Sequence, residues 1–259
     1  MNESSLVSII TVVYNGDKYL QQTIDSVYNQ TYKNIEYIIV DGGSTDNTLN
    51  IIKQNETKIA KWVSEPDNGL YDAMNKGVKM ASGALIGTIN SDDWYELDAI
   101  ELVVNAYLKA PNKTIFHGYR YDILENGCKQ VYKFNNSSFR FKYFSMTYSH
   151  PSMFISKQLY KTNSYNIKLK LYADYQFVLT AYLKDATQFV YIDKPLVNFR
   201  LGGVSGNGSF FAELKEAFLA RKAAKMSLVE CTFSYILVLI LRPIINLVKA
   251  IRLRCKHIK

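Results

Sequence analysis

The chain has 259 residues, of which 48% are apolar and 21% are charged, so it is long and apolar enough to bury a substantial core. These values exclude a disordered chain, a collagen-like chain and a small protein stapled by disulfides. The formal net charge is +8, and residues 215–259, with ten Lys or Arg and two Glu, account for all of it. The remaining body of the chain is neutral, so we expect no basic groove and predict no nucleic-acid partner.

Strand and helix patterns alternate in the first half of the chain. Apolar, β-branched runs predict four buried strands, over 6–13, 35–40, 59–63 and 84–89. Three helices are predicted between them: one carries Leu20, Ile24 and Val27 behind a cap at Asp17, one runs from Ser44 or Thr45 to Ile52, and one covers 70–81. This alternation predicts an α/β fold with a parallel sheet, which binds ligands at the carboxyl ends of its strands.

The second half of the chain is less regular. The predicted elements are strands over 115–121, 130–134 and 189–192, helices over 174–183 and from 210 to about 226, and a flexible loop over 202–208. Cys128, Cys231 and Cys255 have no paired spacing, which predicts free thiols in a reducing compartment and no zinc site. The first residues lack the basic start and the cleavage site of a signal peptide.

Polar side chains collect where all four early strands end. The clusters are residues 11–15, Asp41, residues 67–69 with Asp72, and Asp92 with Asp93. Any one of them could be a tight turn or a helix cap, but four at one sheet edge favour a nucleoside diphosphate bound through a divalent cation. Mn²⁺ or Mg²⁺ would bridge carboxylate and phosphate oxygens there. The chain has no P-loop motif and no G-x-G-x-x-G after a strand, which disfavours a P-loop ATPase and a dinucleotide-dependent dehydrogenase.

Two long segments carry a family resemblance: VSIITVVYNGDKYLQQTIDSVYNQTYKNIEYIIVDGGSTDNT and SEPDNGLYDAMNKGVKMASGALIGTINSDDWY. They resemble the family 2 glycosyltransferases of the GT-A fold, especially bacterial members that build O-antigen, capsule and exopolysaccharide repeat units. The resemblance is dense over residues 5–95 and thinner to about residue 206. It implies a Rossmann-like, mostly parallel sheet flanked by helices and followed by an amphipathic helical tail. The implied division is a catalytic domain over 1–210, with a nucleotide-sugar half (1–95) and an acceptor half (96–210), and a basic, membrane-associating tail over 211–259.

The resemblance also implies roles for the residues at the donor side. Thr11 and Tyr14 match positions that meet the nucleotide base and ribose, and Tyr14 offers an aromatic face to uracil. Asp41 matches a carboxylate that accepts a hydrogen bond from the uracil N–H. The segment that shapes the donor pocket under the diphosphate is matched by Asn68, Gly69 and Asp72.

The metal-binding stretch of the family matches residues 89–93 and departs from its D-x-D pattern. Asn90 stands where the first Asp is expected, so it is assigned as a neutral helper in nucleotide-sugar binding. Asp92 holds the last position of the motif, but relatives with N-S-G-D would place the ligand at Asp93. Both carboxylates remain candidate metal ligands, with Asp92 slightly preferred.

Inverting sugar transfer needs a general base on the acceptor side, and the resemblance assigns that role to Asp174. The alternative is an ordinary helix N-cap at Asp174. His150 matches an acceptor-side segment, or is a buried structural histidine. Trp94 stacks on a sugar face, or packs in the core. Gly203 and Ser205 belong to a loop that resembles the mobile loop closing over donor and acceptor.

The tail contains an uncharged apolar run over 231–241, interrupted at Arg242-Pro243 and resumed over 244–248. A membrane-spanning helix needs ~20 apolar residues, so eleven favour a helix that lies at an anionic membrane surface or inserts into it shallowly. We assign residues 228–259 to that surface. The alternative is a helix packed on the catalytic domain with solvated basic ends.

Together these patterns predict an inverting, metal-dependent hexosyltransferase. It would transfer a sugar from a UDP-sugar to a polyprenyl-diphosphate-linked saccharide in O-antigen, lipopolysaccharide or capsule biosynthesis, as a peripheral protein at the cytoplasmic face of the bacterial inner membrane. A sugar nucleotidyltransferase is one rival, although its early G-x-G-T-R-type loop is absent. A non-enzymatic, membrane-tethered binding protein is the other.

Overall fold

The computed structural model describes residues 5–202 and 209–256. Strands and helices alternate in the first half, as the sequence predicts. The elements there are β1 (Val7–Val13), α1 (Leu20–Tyr28), β2 (Ile35–Asp41), α2 (Thr48–Gln54), β3 (Lys61–Ser64), α3 (Leu70–Met80) and β4 (Leu85–Asn90).

The second half adds shorter strands and the C-terminal helices. The elements are β5 (Trp94–Tyr95), α4 (Ala99–Lys109), β6 (Ile115–Ile123), β7 (Lys129–Tyr132), α5 (Ser138–Tyr143), β8 (Met153–Ser156), α6 (Lys157–Tyr160), α7 (Ala173–Lys184), β9 (Phe189–Arg200), α8 (Phe210–Ala223) and α9 (Leu228–Lys256). A single turn of 3-10 helix at His150–Ser152 leads into β8.

Nine described strands form one sheet in the order β3-β2-β1-β4-β8-β6-β9-β5, with β7 beside β6. The first four strands are parallel. β8 then pairs antiparallel with both β4 and β6, while β6 and β9 are parallel. The predicted α/β fold is therefore confirmed, with a parallel first half and a mixed second half.

Helices cover both faces of this sheet because alternate strand residues point to opposite sides. Ile9 of β1 belongs to the core cluster that contains Leu20 and Ile24 of α1. Ile10 belongs to the other cluster, on the side of α3. Helix α3 approaches β1 so closely at Gly77 that an added Cβ would collide with the Ile10 side chain.

Several local predictions are wrong in detail. Asp17 does not cap α1, which begins at Leu20 without a side-chain cap. Instead, Asp17 accepts a hydrogen bond from the Asn47 amide at 3.4 Å. Helix α2 begins at Thr48 rather than at Ser44 or Thr45, because the residues before it close the loop after β2. The sequence interpretation also omitted α4 and β8, and it ended β9 eight residues early.

Helix α9 is continuous over 29 residues, so the break in the apolar run at Arg242-Pro243 does not end the helix, and Pro243 lies inside it. By length and composition alone, Leu228–Asn246 could cross a membrane. One side of the helix packs on the body of the protein, however. Cys231 and Ser234 are fully buried, and Arg242 forms an ion pair with Glu213 of α8 at 2.7 Å.

The predicted tail therefore shares the core of the predicted catalytic domain. Ala220 and Ala224, at the end of α8, lie in the same hydrophobic cluster as Tyr175 and Phe177 of α7. Ser234 of α9 donates a hydrogen bond to the Tyr143 carbonyl of α5 at 2.6 Å. These contacts place residues 211–242 against the body rather than apart from it.

Candidate active site

The loops that follow β1 and β2 are joined by hydrogen bonds, and this sets the shape of the sheet edge. Asn15 has a positive φ of 50°, a conformation that Asn tolerates better than most residues. Its amide donates to Ser44 Oγ at 2.8 Å, and its Oδ1 accepts from the Thr45 amide at 2.8 Å. The carboxyl ends of the two strands thus form one rigid rim.

Asp41 and Thr11 lie beneath this rim rather than on it. Asp41 is completely buried, and its carboxylate accepts hydrogen bonds from Ser44 and from Ser64 Oγ, the latter at 2.6 Å. Thr11 is also completely buried, and its Oγ1 shares a 3.0 Å hydrogen bond with the Tyr37 hydroxyl. Both side chains are enclosed, and Asp41 holds the loop that follows β2. Their contact with the nucleotide stays a prediction.

Tyr14 is the exposed aromatic residue of this rim, with 64% of its surface accessible. Its ring lies beside Gly42, and Asp67 reaches the same point from the loop after β3. An added Cβ at Gly42 would lie 3.5 Å from Tyr14 Cδ2 and would collide with the Asp67 carboxylate. The glycine therefore lets the Asp67 carboxylate approach the backbone beside the exposed Tyr14 ring.

The predicted donor-pocket residues form the N-terminal turn of α3. Gly69 is the N-cap residue and has a φ of 107°, which only glycine adopts readily. Asp72 accepts hydrogen bonds from the amide and the side chain of Asn68, at 3.0 and 3.2 Å. Asn68 and Gly69 are exposed, and the Gly69 amide donates to Asp67 Oδ1 at 2.7 Å, so two carboxylates hold the amides of this loop.

Asp92 and Asp93 have different surroundings although they are adjacent. Asp93 is 1% exposed and accepts hydrogen bonds from the Arg200 amide at 2.9 Å and from Asn90 Nδ2 at 3.2 Å. Burial and the nearby Asp92 charge raise its pKa to about 8. Asp92 is half-buried, and its carboxylate accepts no side-chain hydrogen bond from the described residues. Burial raises the pKa of Asp92, while the Arg200 charge opposes that rise.

This donor set fits a magnesium or manganese ion that is completed by phosphate oxygens. Such ions are usually held by one or two carboxylates together with substrate phosphates. The Asp92 carboxylate is half-buried and accepts no side-chain hydrogen bond from the described residues, whereas both oxygens of Asp93 accept hydrogen bonds from Arg200 and Asn90. Among the described residues no group of three or more His, Cys, Asp or Glu is arranged to hold a metal alone.

Arg200 lies at this edge, and the sequence places it with Phe199 at the start of the loop that resembles the mobile loop closing over donor and acceptor. Its Nε donates to the Asp92 carbonyl at 3.2 Å, and its guanidinium also donates to Gln22 at 2.9 Å. The same group lies over the rings of Tyr19 and Trp94, 3.9 and 5.0 Å from their centroids. Trp94 is thus half-buried against an arginine. The signal for Arg200 was its place directly before the glycine-rich loop.

Asp174 lies in the first turn of α7 and contacts α3, the helix that follows Asn68 and Gly69. The Tyr71 hydroxyl of α3 donates to Asp174 Oδ1 at 3.0 Å, and the Tyr175 amide donates to the same oxygen at 2.7 Å. The N-cap residue of α7 is Tyr172, so Asp174 is not the N-cap. Sequence reasoning did not identify Tyr71, because its contact joins residues 103 positions apart.

His150 is a buried residue behind this contact. Its Nε2 and the Tyr165 hydroxyl are 2.9 Å apart, and the Tyr165 ring stacks on Tyr71 with centroids separated by 5.8 Å. Burial lowers the pKa of His150, while the Asp174 charge opposes that shift. The arrangement matches the structural alternative for His150. The predicted loop residues Gly203 and Ser205 lie outside the described residues.

A separate cleft of about 380 Å³ opens between the end of α1 and the start of β2. Its lining includes Tyr28, Tyr32, Lys33 and Lys58 but none of the predicted site residues. Ligands of parallel α/β sheets bind at the carboxyl ends of the strands. We therefore assign the candidate active site to the rim formed by Tyr14, Gly42, Asn68 and Asp92, together with Asp174.

Comparisons with known proteins agree with this fold. The model of Glycosyl transferase family 2 matches residues 8–167, which is more than half of the chain. Hyaluronan synthase of Pasteurella multocida is 31% identical over 208 residues, covering 78% of this chain and 21% of the synthase. An uncharacterised glycosyltransferase of Mycobacterium tuberculosis is 33% identical over 187 residues, covering 71% of each protein. This chain spans only about a fifth of the length of the Pasteurella synthase.

Solved structures show the same fold. S. aureus TarS 1–349 in complex with UDP-GlcNAc superimposes with a TM-score of 0.68 at 19% identity, over 90% of this chain and 71% of that one. A mannosyltransferase from Pyrobaculum calidifontis, in complex with GDP-Man and Mn²⁺, gives a TM-score of 0.60 at 15% identity, over 87% of this chain and 66% of that one. The fold is that of the GT-A glycosyltransferases. The chain belongs to glycosyl transferase family 2.

Proposed function

We propose that this protein is an inverting, metal-dependent glycosyltransferase that transfers a sugar from a UDP-sugar to a saccharide on polyprenyl diphosphate. The observation that carries the proposal is the 3.0 Å hydrogen bond between Tyr71 and Asp174. It brings the assigned base to the first turn of α3, directly after the loop assigned to the donor. A nucleotide at the rim and a base beside it are the two parts that inverting transfer requires.

The reaction is a single displacement. One acceptor hydroxyl attacks the anomeric carbon of the donor sugar, and its proton passes to the carboxylate of Asp174. The bond between that carbon and the diphosphate oxygen breaks on the opposite face, so the nucleoside diphosphate leaves with the bonding electrons. Asp174 Oδ1 is held by two hydrogen bonds, which leaves Oδ2 to receive the proton.

Asp92 would hold the divalent ion, and Asn90 and Asp93 would support it. When bound, the ion neutralises charge on the departing diphosphate. The protein's own contribution is to keep Asp93 fixed against the Arg200 amide, so that Asp92 projects from a rigid turn. The GDP-Man and Mn²⁺ complex of the Pyrobaculum enzyme supports this assignment.

The UDP-GlcNAc complex of TarS supports a UDP-sugar as the donor. We would measure UDP release with a panel of UDP-sugars, defined lipid-linked acceptors and Mn²⁺, and determine the anomeric linkage of the product by NMR. Transfer with inversion is the expected result. Asp174→Asn should reduce transfer to a small residual rate while UDP binding survives, because the base contacts the acceptor side only. No turnover with any donor and acceptor, with UDP binding intact, would overturn the proposal.

A lipid-linked acceptor requires access to a membrane, and α9 offers a surface for it. Apolar side chains of α9 are exposed, among them Val229, Ile236, Ile240 and Ile244. Five basic residues follow along the sequence, each worth about 1 kcal/mol near an anionic leaflet: Lys249, Arg252, Arg254, Lys256 and Lys259. We propose a peripheral protein on the cytoplasmic face of the inner membrane, acting in O-antigen or capsule synthesis.

We place α9 on the membrane surface rather than across it. Crossing would carry Arg242 and its partner Glu213 into hydrocarbon, which is costly for ionised groups. The test is co-flotation with vesicles that contain anionic lipid. Ile240→Asp with Ile244→Asp should abolish flotation, whereas the comparably exposed Leu97→Asp with Leu108→Asp should retain it. Equal flotation of both double variants would contradict surface binding through α9.

A further inference from the structure

Helix α8 contacts the chain on both sides of the assigned base. Its Glu216 accepts hydrogen bonds from two successive backbone amides, those of Lys170 and Leu171, the second at 3.1 Å. These residues are the last of the irregular segment before α7, three and four positions ahead of Asp174. One carboxylate therefore fixes the point from which the first turn of α7 begins.

The other side of Asp174 is fixed through Tyr175. Its hydroxyl donates to the Phe141 and Lys142 carbonyls, at 2.8 and 3.0 Å. Arg221 of α8 is 2% exposed, donates to the same Lys142 carbonyl at 2.8 Å and lies 5.1 Å from the Tyr175 ring. Tyr175 is thus held to the end of α5 independently of Glu216.

Glu216 is also electrostatically close to the base. Burial raises the pKa of Tyr71 well above its usual range, and the negative charges of Asp174 and Glu216 act in the same direction. Because Tyr71 is the direct partner of Asp174, both carboxylates act on one phenol. A proton acceptor needs its free oxygen in one place, and a misplacement of about 1 Å can cost ~100-fold in rate.

We propose that Glu216 is a positioning residue for Asp174. It acts by anchoring the Lys170 and Leu171 amides, so that α7 starts where Asp174 Oδ1 meets Tyr71 and Oδ2 faces the acceptor. The inference rests on the proposed function. It assigns a role in sugar transfer to a helix within the segment that the sequence assigned to the tail, outside the region matched by the family model.

The test compares two glutamates of α8 that lie almost one turn apart. Glu216→Gln offers one acceptor where two amides need one each, so kcat for sugar transfer should fall ~10-fold to 100-fold while the Kd for UDP and Mn²⁺ is unchanged. Glu213→Gln, measured in the full-length protein with a water-soluble acceptor, should leave kcat unchanged, because Glu213 pairs with Arg242 of α9 instead. Equal kcat for the two variants would overturn the proposal.

A double-mutant cycle separates positioning from a general loss of structure. If Glu216 acts through Asp174, adding Glu216→Gln to Asp174→Asn should not lower the residual rate further. A fully additive loss would overturn the proposal. If Glu216→Gln lowers the folded fraction, Glu216→Asp is the second variant, since it keeps the charge on a side chain one methylene shorter. It should give an intermediate kcat with normal UDP binding. A wild-type kcat for Glu216→Asp would also contradict the proposal. Wild-type protein without any transfer would instead count against the proposed function.

Discussion

At the residue scale, two neighbouring carboxylates show how little residue type says about role. Asp92 and Asp93 are one position apart, yet one projects from the turn and the other is enclosed by Arg200 and Asn90. The difference comes from β9, whose last residue supplies the amide that captures Asp93. A strand that arrives more than 100 residues later therefore decides which carboxylate is accessible to a metal ion.

This division of roles gives a prediction for the metal site. Asp92→Asn should weaken Mn²⁺-dependent UDP binding at least ~10-fold without changing the melting temperature, because the lost oxygen has no partner inside the protein. Asp93→Asn should weaken it less. The measurement is calorimetric titration of UDP with and without Mn²⁺. A larger loss of Mn²⁺-dependent binding in Asp93→Asn than in Asp92→Asn would contradict the assignment of Asp92 as the direct ligand.

Glu36 governs a second property at this scale, the response of stability to acid. It is 7% exposed and accepts hydrogen bonds from Lys61 Nζ at 2.6 Å and from Ser82 and Ser8. Desolvation alone would raise its pKa, but these donors prevail and lower it to about 2. The ionised form is therefore stabilised in the folded protein, and this contribution is complete above the usual glutamate pKa.

Glu36→Gln should lower the free energy of unfolding at pH 7 by about 1.5–3 kcal/mol, the range for hydrogen bonds to a charged group. The deficit should shrink as the pH falls from about 4.5 towards 2, because the wild-type carboxylate becomes protonated over that range. Urea unfolding at pH 7 and at pH 3 measures both effects. Glu56→Gln, at an exposed position, should leave the free energy of unfolding unchanged at both pH values. If Glu36→Gln lowered that free energy equally at pH 7 and pH 3, the proposed dependence on ionised Glu36 would be refuted.

At the element scale, α3 is the helix that joins the two halves of the site. Its first turn carries the donor loop and Tyr71, and its middle packs on β1 at Gly77 without room for a side chain. Gly77→Ala should destabilise the protein by about 1–3 kcal/mol, because overpacking outweighs the better helix propensity of Ala. Thermal unfolding tests this. Lys79→Ala, on the exposed side of α3, is the control. An increase in stability for Gly77→Ala would contradict the prediction, because it would show that the Ile10 side chain can move aside at little cost.

Some elements could have been read from the sequence and others could not. Ile100, Val103 and Val104 of α4 have ordinary helical spacing, so the signal for that helix was present. The four residues of β8 are too short a signal, and their pairing with β4 and β6 makes them a strand. Pro195 argues against a strand, but β9 tolerates it opposite Tyr119, where the register with β6 shifts.

At the scale of the whole molecule, the C-terminal helices belong to the body of the protein as far as Arg242. Ending the chain after Arg242 should leave the melting temperature within a few degrees but abolish vesicle binding, since Ile244, Ile245 and Val248 are exposed. Ending the chain after Met226 should destabilise the protein strongly, because Cys231 and Val238 are core residues worth about 1.5–3 kcal/mol each. Thermal unfolding of both truncations decides this; equal stability would contradict a shared core.

The sequence by itself determined the family resemblance, the four parallel strands and the sheet edge where polar residues collect. These features are local: apolar runs set the strands, and strand ends set the edge. Only the tertiary structure decided that Thr11 and Asp41 are enclosed, that Asp92 is the accessible carboxylate, and that Tyr71 and Asp174 meet. It also showed that the first part of the charged tail, whose net charge of +8 the sequence located, shares a hydrophobic core with α7. The reason is that burial and long-range hydrogen bonds depend on which segments meet in space, and the sequence order does not contain that information directly.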